Sequence, residues 1–170
     1  MDCGCTAVGA RNGYRDCIAK ILLIAWTGIL QRDDEVVLAR ETIYTNTFSH
    51  FNPIPVACRI DNLVVTGAVA GFDLKTGELP LVLEEQCANI FLQIPEIMKQ
   101  SGGGIEHIIK INIWHDGAFH DPYSRDVLNK EWLKMFPDSA NRPARQTMQS
   151  KLPPGHWILA DLMAVISERK

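Results

Sequence analysis

Hydrophobic residues along the chain recur at two spacings that predict different secondary structures. Between Leu81 and Gln100 they recur at every third or fourth position, which predicts an amphipathic helix with one apolar stripe. Between Ile105 and Trp114 they alternate with polar residues, which predicts a strand. Pro95 interrupts the helical pattern and is expected to kink the helix or to end its regular part. The stripe contains Leu83, Cys87, Ile90, Phe91, Ile94, Ile97 and Met98, and one side of the strand carries Ile109, Ile111 and Ile113.

Shorter segments before and after these two elements complete the predicted secondary structure. Two β-rich segments, Val56–Ile60 and Leu63–Ala68, are joined by Asp61-Asn62, a pair typical of a two-residue turn. Asp121 followed by Pro122 is typical of the start of a helix. The remaining elements are a strand at Thr42–Thr45, a helix whose apolar side is Tyr123, Leu128, Trp132, Met135 and Phe136, and strands at Ala144–Lys151 and His156–Ser167.

The order of these elements is β-β-β-α-β-α-β-β. This order predicts an α+β fold in which two helices pack on one face of a mixed sheet. The second face of such a sheet also has to be covered, and the outward sides of the predicted strands carry many apolar residues. We therefore expect the protein to self-associate through that second face.

Residues 1–40 do not share this pattern and are predicted to form an atypical N-terminal extension, helical or disordered, ahead of a domain at residues 41–170. The apolar run Ile18–Leu30 is shorter than the roughly 20 residues that span a bilayer. Basic residues precede this run, as in a signal peptide, but a charged segment follows it instead of a cleavage site of small residues. A packed or frayed helix is therefore favoured over a signal, and a true start near Val36 stays open.

Composition narrows the classes of function. Hydrophobic residues make up 46% of the chain and charged residues 22%, which is typical of a soluble globular domain. The net charge of −3 lacks the basic excess with which nucleic-acid-binding proteins neutralise phosphates. The five cysteines are odd in number and irregularly spaced, and they match neither a zinc site nor a redox pair. We expect reduced thiols in a cytoplasmic protein that binds no membrane.

A loop with two histidines, His115 and His120, is the segment that comes nearest to a metal site. Each histidine is followed by an aspartate, and two imidazoles with a carboxylate can bind a metal ion. The spacing is not that of a helical ligand pair, so loop histidines beside a helix cap are favoured and no metal is expected. His120 remains a candidate acid or base near neutral pH. The sequence contains no nucleophile elbow and no glycine-rich loop ahead of a helix.

Five segments occur in a characteristic order. None of them is specific by itself, but the ordered set is. They are Ile60–Gly67, Asp73–Glu78, Arg142–Arg145 (RPAR), Leu152–Gly155 (LPPG) and the end of the last strand, Met163–Val165. Over about residues 42 to 167 this ordered set resembles the Rid/YjgF family of enamine and imine deaminases. The resemblance implies the YjgF fold, which is similar to that of chorismate mutase. It also implies assembly into a homotrimeric barrel with ligand clefts between subunits, and no cofactor.

Arg145 is the central candidate residue. An arginine at the start of a strand can present a planar fork to a carboxylate and form two parallel hydrogen bonds, although an ordinary surface arginine is the alternative on spacing alone. The resemblance gives Arg145 the role of gripping the substrate carboxylate. It further implies substrate contacts from Asn129 and from backbone groups near Thr147, Gly67 and Ala68.

The sequence departs from the family pattern on the acid side of the site. The position of the family's water-orienting acid is Leu159, and that of its cleft tyrosine is near Ile54. Asp161 lies two residues after Leu159 and therefore on the same face of the strand, where it either takes part in catalysis or matches the family's second acid. These departures predict a different substrate, larger or more apolar, or a weaker deaminase.

Three functions are compatible with these residues. The leading hypothesis is hydrolysis of 2-imino acids, or of the enamines they derive from, to keto acids and ammonia, with Arg145 and Asp161 as the catalytic residues. The second is a trimer that binds a small carboxylate metabolite without catalysis, which the substitution at Leu159 favours. The third is RNA cleavage or inhibition of translation, activities once ascribed to this family, and the acidic balance of the chain argues against it.

Overall fold

The computed structural model describes residues 39–45, 52–117 and 121–166 of the chain. The predictions made for residues 1–38, for His120 and for Ser167 lie outside the described residues. The boundary near residue 40, between an extension and a family domain, therefore stays a prediction.

One mixed sheet runs through the described residues, and its strands follow the predicted order. From one edge to the other, the path is β1-β2-β3-β7-β5-β6, and β4 pairs with β7 beside this path. All pairings are antiparallel except that of β5 with β6, which is parallel. The strands are β1 (Glu41–Ile43), β2 (Ala57–Ile60), β3 (Leu63–Thr66), β4 (Val69–Ala70), β5 (Ile108–His115), β6 (Ala144–Gln149) and β7 (Ile158–Val165).

Two helices cover one face of this sheet, so the predicted α+β class is confirmed. They are α1 (Leu83–Gln100) and α2 (Pro122–Met135). The apolar stripe of α1 and two residues of α2, Leu128 and Trp132, form one buried cluster with alternate residues of β5 and β7. The alternation of burial along both strands shows that the helices lie on a single side. In the described part of the chain, no helix is both long and apolar enough to cross a membrane.

The ends of both helices follow from local sequence. The Asp121 side chain accepts a hydrogen bond from the backbone nitrogen of Tyr123 at 3.3 Å and caps α2, as predicted. Helix α1 continues through Pro95 to Gln100, so of the two expected effects of this proline, a kink or an end of the regular part, the second was wrong. Pro95 lies on the exposed side of the helix.

Two predicted faces were wrong in detail. Residues Ile105–His107 form a 3-10 turn, and β5 begins only at Ile108. An irregularity in the pairing between Ile108 and Lys110 shifts the alternation by one residue, so that Ile109 is 48% exposed. Tyr123 is exposed because five residues separate it from Leu128, which turns the two side chains about 140° apart around the helix.

The predicted hairpin is present, but its second strand is interrupted. Asp61 adopts a positive φ of 54° in the turn between β2 and β3. Strand β3 ends at Thr66, and after Gly67 and Ala68 the two-residue strand β4 pairs with β7 instead. The predicted strand, Leu63–Ala68, therefore ran two residues too far, and β4 was not predicted.

The second face of the sheet consists of half-exposed side chains in the described residues. On β5 and β7 it is formed by Lys110, Asn112 and Trp114 and by Leu159, Asp161 and Met163. The expectation that another subunit covers this face stays a prediction.

A candidate site around Arg145

Arg145 is the second residue of β6, a strand at the edge of the sheet. Its partner in the parallel pairing with β5 is Ile111, which is fully buried beneath the helices, so the Arg145 side chain lies on the helix-covered face. The preceding loop is fixed by Arg142, whose Nε and Nη2 donate to the carbonyl oxygens of Phe136 at 2.9 Å and Pro137 at 3.1 Å. This loop therefore sets where β6 begins and where Arg145 lies.

Two residues of α2 hold the guanidinium group. Arg145 Nη2 donates to Asn129 Oδ1 at 2.9 Å, and Arg145 Cζ lies 4.8 Å from the centroid of the Trp132 ring. Asn129 and Trp132 are three residues apart and therefore lie on the same face of the helix. Stacking on an aromatic ring and a single amide acceptor both orient the guanidinium without neutralising its charge.

The charge of Arg145 has no acidic partner among the described residues. Only two ion pairs occur there, Glu106 with His107, which requires a protonated histidine, and Glu131 with Lys134. Arg145 Nη1 is buried and makes no hydrogen bond. The side chain is half-buried, and this burial lowers the pKa of Arg145. A positive group with a free donor, removed from water and not paired with a carboxylate, favours binding of an external anion.

Cys87 of α1 approaches this group from the core. Its side chain is fully buried, and burial, followed by the nearby charge of Glu131, raises the pKa of the Cys87 thiol to about 12. The thiol is therefore neutral at physiological pH and does not act as a counter-ion for Arg145. Cys87 completes a set of neutral neighbours with Asn129 and Trp132.

In the folded protein, Cys87 is expected to resist alkylation by iodoacetamide at pH 8. With a pKa of about 12, a thiolate fraction on the order of 10⁻⁴ is available, and burial blocks access as well. Cys58, which is only half-buried, is expected to react faster. Timed labelling followed by peptide mass spectrometry measures both rates, with denatured protein as the control in which both react. Equal rates in the folded state would show that Cys87 is not sealed beneath α2.

The other predicted site residues fall into two groups. Thr147 lies two residues after Arg145, pairs with buried Ile113 and so shares the helix-covered face. Gly67 and Ala68 lie across the sheet, where Gly67 N donates to Val56 O at 2.9 Å. Strands β5 and β7 separate this region from β6, which corresponds to roughly 14 Å at a strand spacing of about 4.8 Å. A single chain therefore brings Arg145 together with Asn129 and Thr147 but not with Gly67 or Ala68.

Asp161 lies on the opposite face of the sheet from Arg145. Asp161 pairs with Asn112 of β5. Arg145 pairs with the adjacent β5 residue, Ile111, which on its other side pairs with buried Leu162. Asn112 Nδ2 and Trp114 Nε1 each donate to one Asp161 oxygen at 2.7 Å. A single chain therefore does not place the Asp161 carboxylate beside the guanidinium, and its predicted catalytic role would require a second chain.

The two remaining residues of the predicted acid side lie apart from Arg145 as well. Leu159 shares the face of Asp161, as the two-residue spacing predicted, and is half-buried opposite Trp114. Ile54 lies in the segment before β2 and is 47% exposed. Among the described residues, no group of three or more His, Cys, Asp or Glu side chains could hold a metal ion.

Sequence reasoning missed the roles of Trp132 and Cys87 in this site. Both were assigned to apolar helix faces, and both do pack there, but Trp132 also contacts the guanidinium and Cys87 is close enough to interact with its charge. The spacing of Asn129 and Trp132 was the available signal, because a polar and an aromatic residue three positions apart occupy one helix face.

The chain is similar to known proteins both in sequence and in structure. The family model described as endoribonuclease L-PSP matches residues 45–165. No curated protein matches the sequence. The crystal structure of RidA from the Antarctic bacterium Psychrobacter sp. is 26% identical, with a TM-score of 0.65, and the match covers 74% of this chain and 99% of that one.

Two further solved structures share the fold at lower identity. A hypothetical protein from Giardia lamblia is 22% identical, with a TM-score of 0.69, over 76% of this chain and 100% of that one. Escherichia coli TdcF, solved with bound serine, is 21% identical, with a TM-score of 0.65, over 75% of this chain and 99% of that one. In each case about a quarter of this chain has no counterpart.

Proposed function

Since the chain belongs to the Rid/YjgF (endoribonuclease L-PSP) family, we propose that it binds 2-imino acids through Arg145 and hydrolyses them to 2-keto acids and ammonia. The single observation that carries this proposal is the state of the Arg145 guanidinium. It is half-buried, is oriented by neutral groups only, and has a free Nη1 donor. A substrate carboxylate supplies the negative charge and the acceptors that this group lacks.

The reaction needs positioning more than a covalent nucleophile. Water adds to the carbon of the C=N bond, and the resulting carbinolamine loses ammonia. One imino acid and one water thus yield one keto acid and one ammonia. With the carboxylate fixed on Arg145, the adjacent imine carbon is held at a defined distance from the strand, which lowers the entropic part of the barrier. Enamines enter the same reaction after tautomerisation to the imine.

We propose that a second copy of the chain completes this site. Gly67, Ala68 and Leu159 lie across the sheet or on its other face, too far from Arg145 to act with it in one chain. Assembly as a homotrimer, with the β6 edge of one subunit facing this second set on the next, would bring both sets to one cleft. Asp161 would then act only if its carboxylate faces that cleft.

The proposed activity is tested by generating imino acids in place. An amino-acid oxidase converts an amino acid to its 2-imino acid, and the release of ammonia and keto acid is timed with and without the protein. Side chains from alanine to leucine are compared, because the apolar residues Ile54 and Leu159 favour an apolar substrate. Acceleration for at least one substrate is expected, and no acceleration across the series would contradict catalysis.

A metabolite-binding protein without catalysis is the second candidate. The observation that favours it is the acid side of the site: Leu159 carries no carboxylate, and both Asp161 oxygens already accept hydrogen bonds. In that case 2-keto acids raise the melting temperature while no imine is hydrolysed faster. The variant Leu159→Glu separates the two functions, since it is expected to increase turnover if only the acid is missing.

A further inference from the structure

Three side-chain amides of α1 lie on one face of the helix and bond to backbone groups outside it. They belong to Gln86, Asn89 and Gln93, whose spacings of three and four place them on one face of the helix. The Gln86 and Gln93 side chains are almost completely buried, at 0% and 1% exposure. The face is thus a polar stripe inside an otherwise apolar interface.

Two of these amides hold three consecutive carbonyl groups. Gln93 Nε2 donates to Ala70 O at 2.8 Å and to Phe72 O at 3.3 Å, and Asn89 Nδ2 donates to Gly71 O at 3.1 Å. Between these carbonyls the chain lies against the helix so closely that a Cβ on Gly71 would overlap the Gln86 main chain. Strand β4 itself is only two residues long, so its pairing with β7 is short and these side-chain bonds add to it.

The third amide ties the start of β7 to the same helix. Gln86 Nε2 donates to Pro80 O at 2.6 Å and to Gly155 O at 2.7 Å, while Gln86 Oε1 accepts from Trp157 N at 2.8 Å. Leu159 follows two residues after Trp157 and pairs with Ala70. The amide stripe therefore fixes β4 and the first part of β7 as one unit.

The Gln93 amide uses its donor but not its acceptor within the described residues. Its Oε1 is buried and makes no hydrogen bond. A buried acceptor without a partner is destabilising, and an apolar side chain of the same size would avoid that cost. What the amide provides and an apolar side chain would not is the donor, which bonds to the carbonyl groups of Ala70, at the end of β4, and of Phe72, two residues later.

We infer that Gln86, Asn89 and Gln93 are positioning residues for the half of the site formed by Gly67, Ala68 and Leu159. This inference rests on the proposed function, in which that half belongs to the cleft completed by Arg145 of another chain. The amides act through the backbone: they set the distance between the Gly67–Ala70 segment and the substrate, while Arg145 sets the position of the carboxylate.

The test replaces Gln93 with methionine, which keeps the length of the side chain and removes the donor. KM for the 2-imino acid and the dissociation constant of the 2-keto acid are expected to rise roughly 5- to 20-fold, because the substrate-facing backbone is no longer fixed. Amide hydrogen exchange of Val69, Ala70 and Gly71 is expected to accelerate. Asn89→Ala, which disturbs the core less, is the second variant and is expected to show smaller changes in the same quantities.

Ile90→Val on the same helix is the matched control. It trims a fully buried side chain without touching an amide, so it lowers stability and leaves KM, the dissociation constant and exchange at residues 69–71 at wild-type values. Unchanged values in both amide variants would overturn the inference. If the wild type hydrolyses no imine, but the amide variants still weaken keto-acid binding and speed exchange at residues 69–71, the proposed reaction fails while the positioning role stands.

Discussion

Replacing Arg145 with alanine is expected to lower kcat/KM for imine hydrolysis by roughly 100-fold. The change removes the charged donors that the substrate carboxylate needs, and truncating one partner of a partly buried charge pair costs about 3 kcal/mol. The measurement is the initial rate of keto-acid release over a range of oxidase-generated imine. The dissociation constant of a 2-keto acid, measured by titration calorimetry, is expected to rise by a similar factor.

Two companion variants make the Arg145 result specific. Arg145→Lys keeps the positive charge but loses the planar fork and its stacking on Trp132, so an intermediate loss of about 10-fold is expected. Arg125→Ala removes an exposed arginine from the same helix that supplies Asn129, and it is expected to leave both constants unchanged. Wild-type rates in a folded Arg145→Ala protein would remove the residue from the site.

Mixing two inactive variants is expected to restore activity if the site is shared between chains. One variant is Arg145→Ala, and the other is Ala68→Trp, in which a bulky side chain fills the second half of the cleft from an exposed position. When subunits mix at random in equal amounts, a cleft receives both intact halves with a probability of about one quarter, whatever the size of the ring. The mixture is therefore expected to reach about a quarter of the wild-type rate.

Subunit exchange has to be shown independently of activity. Native mass spectrometry of the refolded mixture identifies mixed oligomers, and the same two proteins combined without refolding serve as the control. Mixed oligomers that stay inactive would rule out a cleft built from Arg145 of one chain and Ala68 of the next. A monomer under all conditions would rule out the shared site in any form.

The fold could be predicted from sequence because its signals are local and agree with one another. The stripe from Leu83 to Met98, the Asp121-Pro122 cap and the turn at Asp61 each determine one element without reference to the rest of the chain. The errors arise where tertiary pairing overrides the local pattern. Whether Ile109 points inward depends on how β5 pairs with β7, and that pairing cannot be read from residues 105–114 alone.

The candidate site was only partly accessible to the same reasoning. Arg145 and Asn129 could be named from the resemblance to the family, and the structure brings them within hydrogen-bond distance. That Asp161 faces the other side of the sheet could not be seen, because β6 and β7 are separate strands whose relative phase depends on β5 between them. The sequence also did not show that Arg145 lacks an acidic partner among the described residues, because this depends on which side chains the fold brings close to it.

The proposed carboxylate contact and the residues proposed to recognise the rest of the ligand lie in separate parts of the chain. Asn129, Trp132 and Arg145 all come from a stretch of 17 residues around α2 and the start of β6, and no hydrogen bond ties this stretch to Ile54, Ala68 or Leu159 in the described chain. Substitutions at those three positions can therefore accumulate without disturbing the anchor. If Arg145 binds a carboxylate as proposed, ligand size and polarity can change through these three positions while the contact with the charge stays the same.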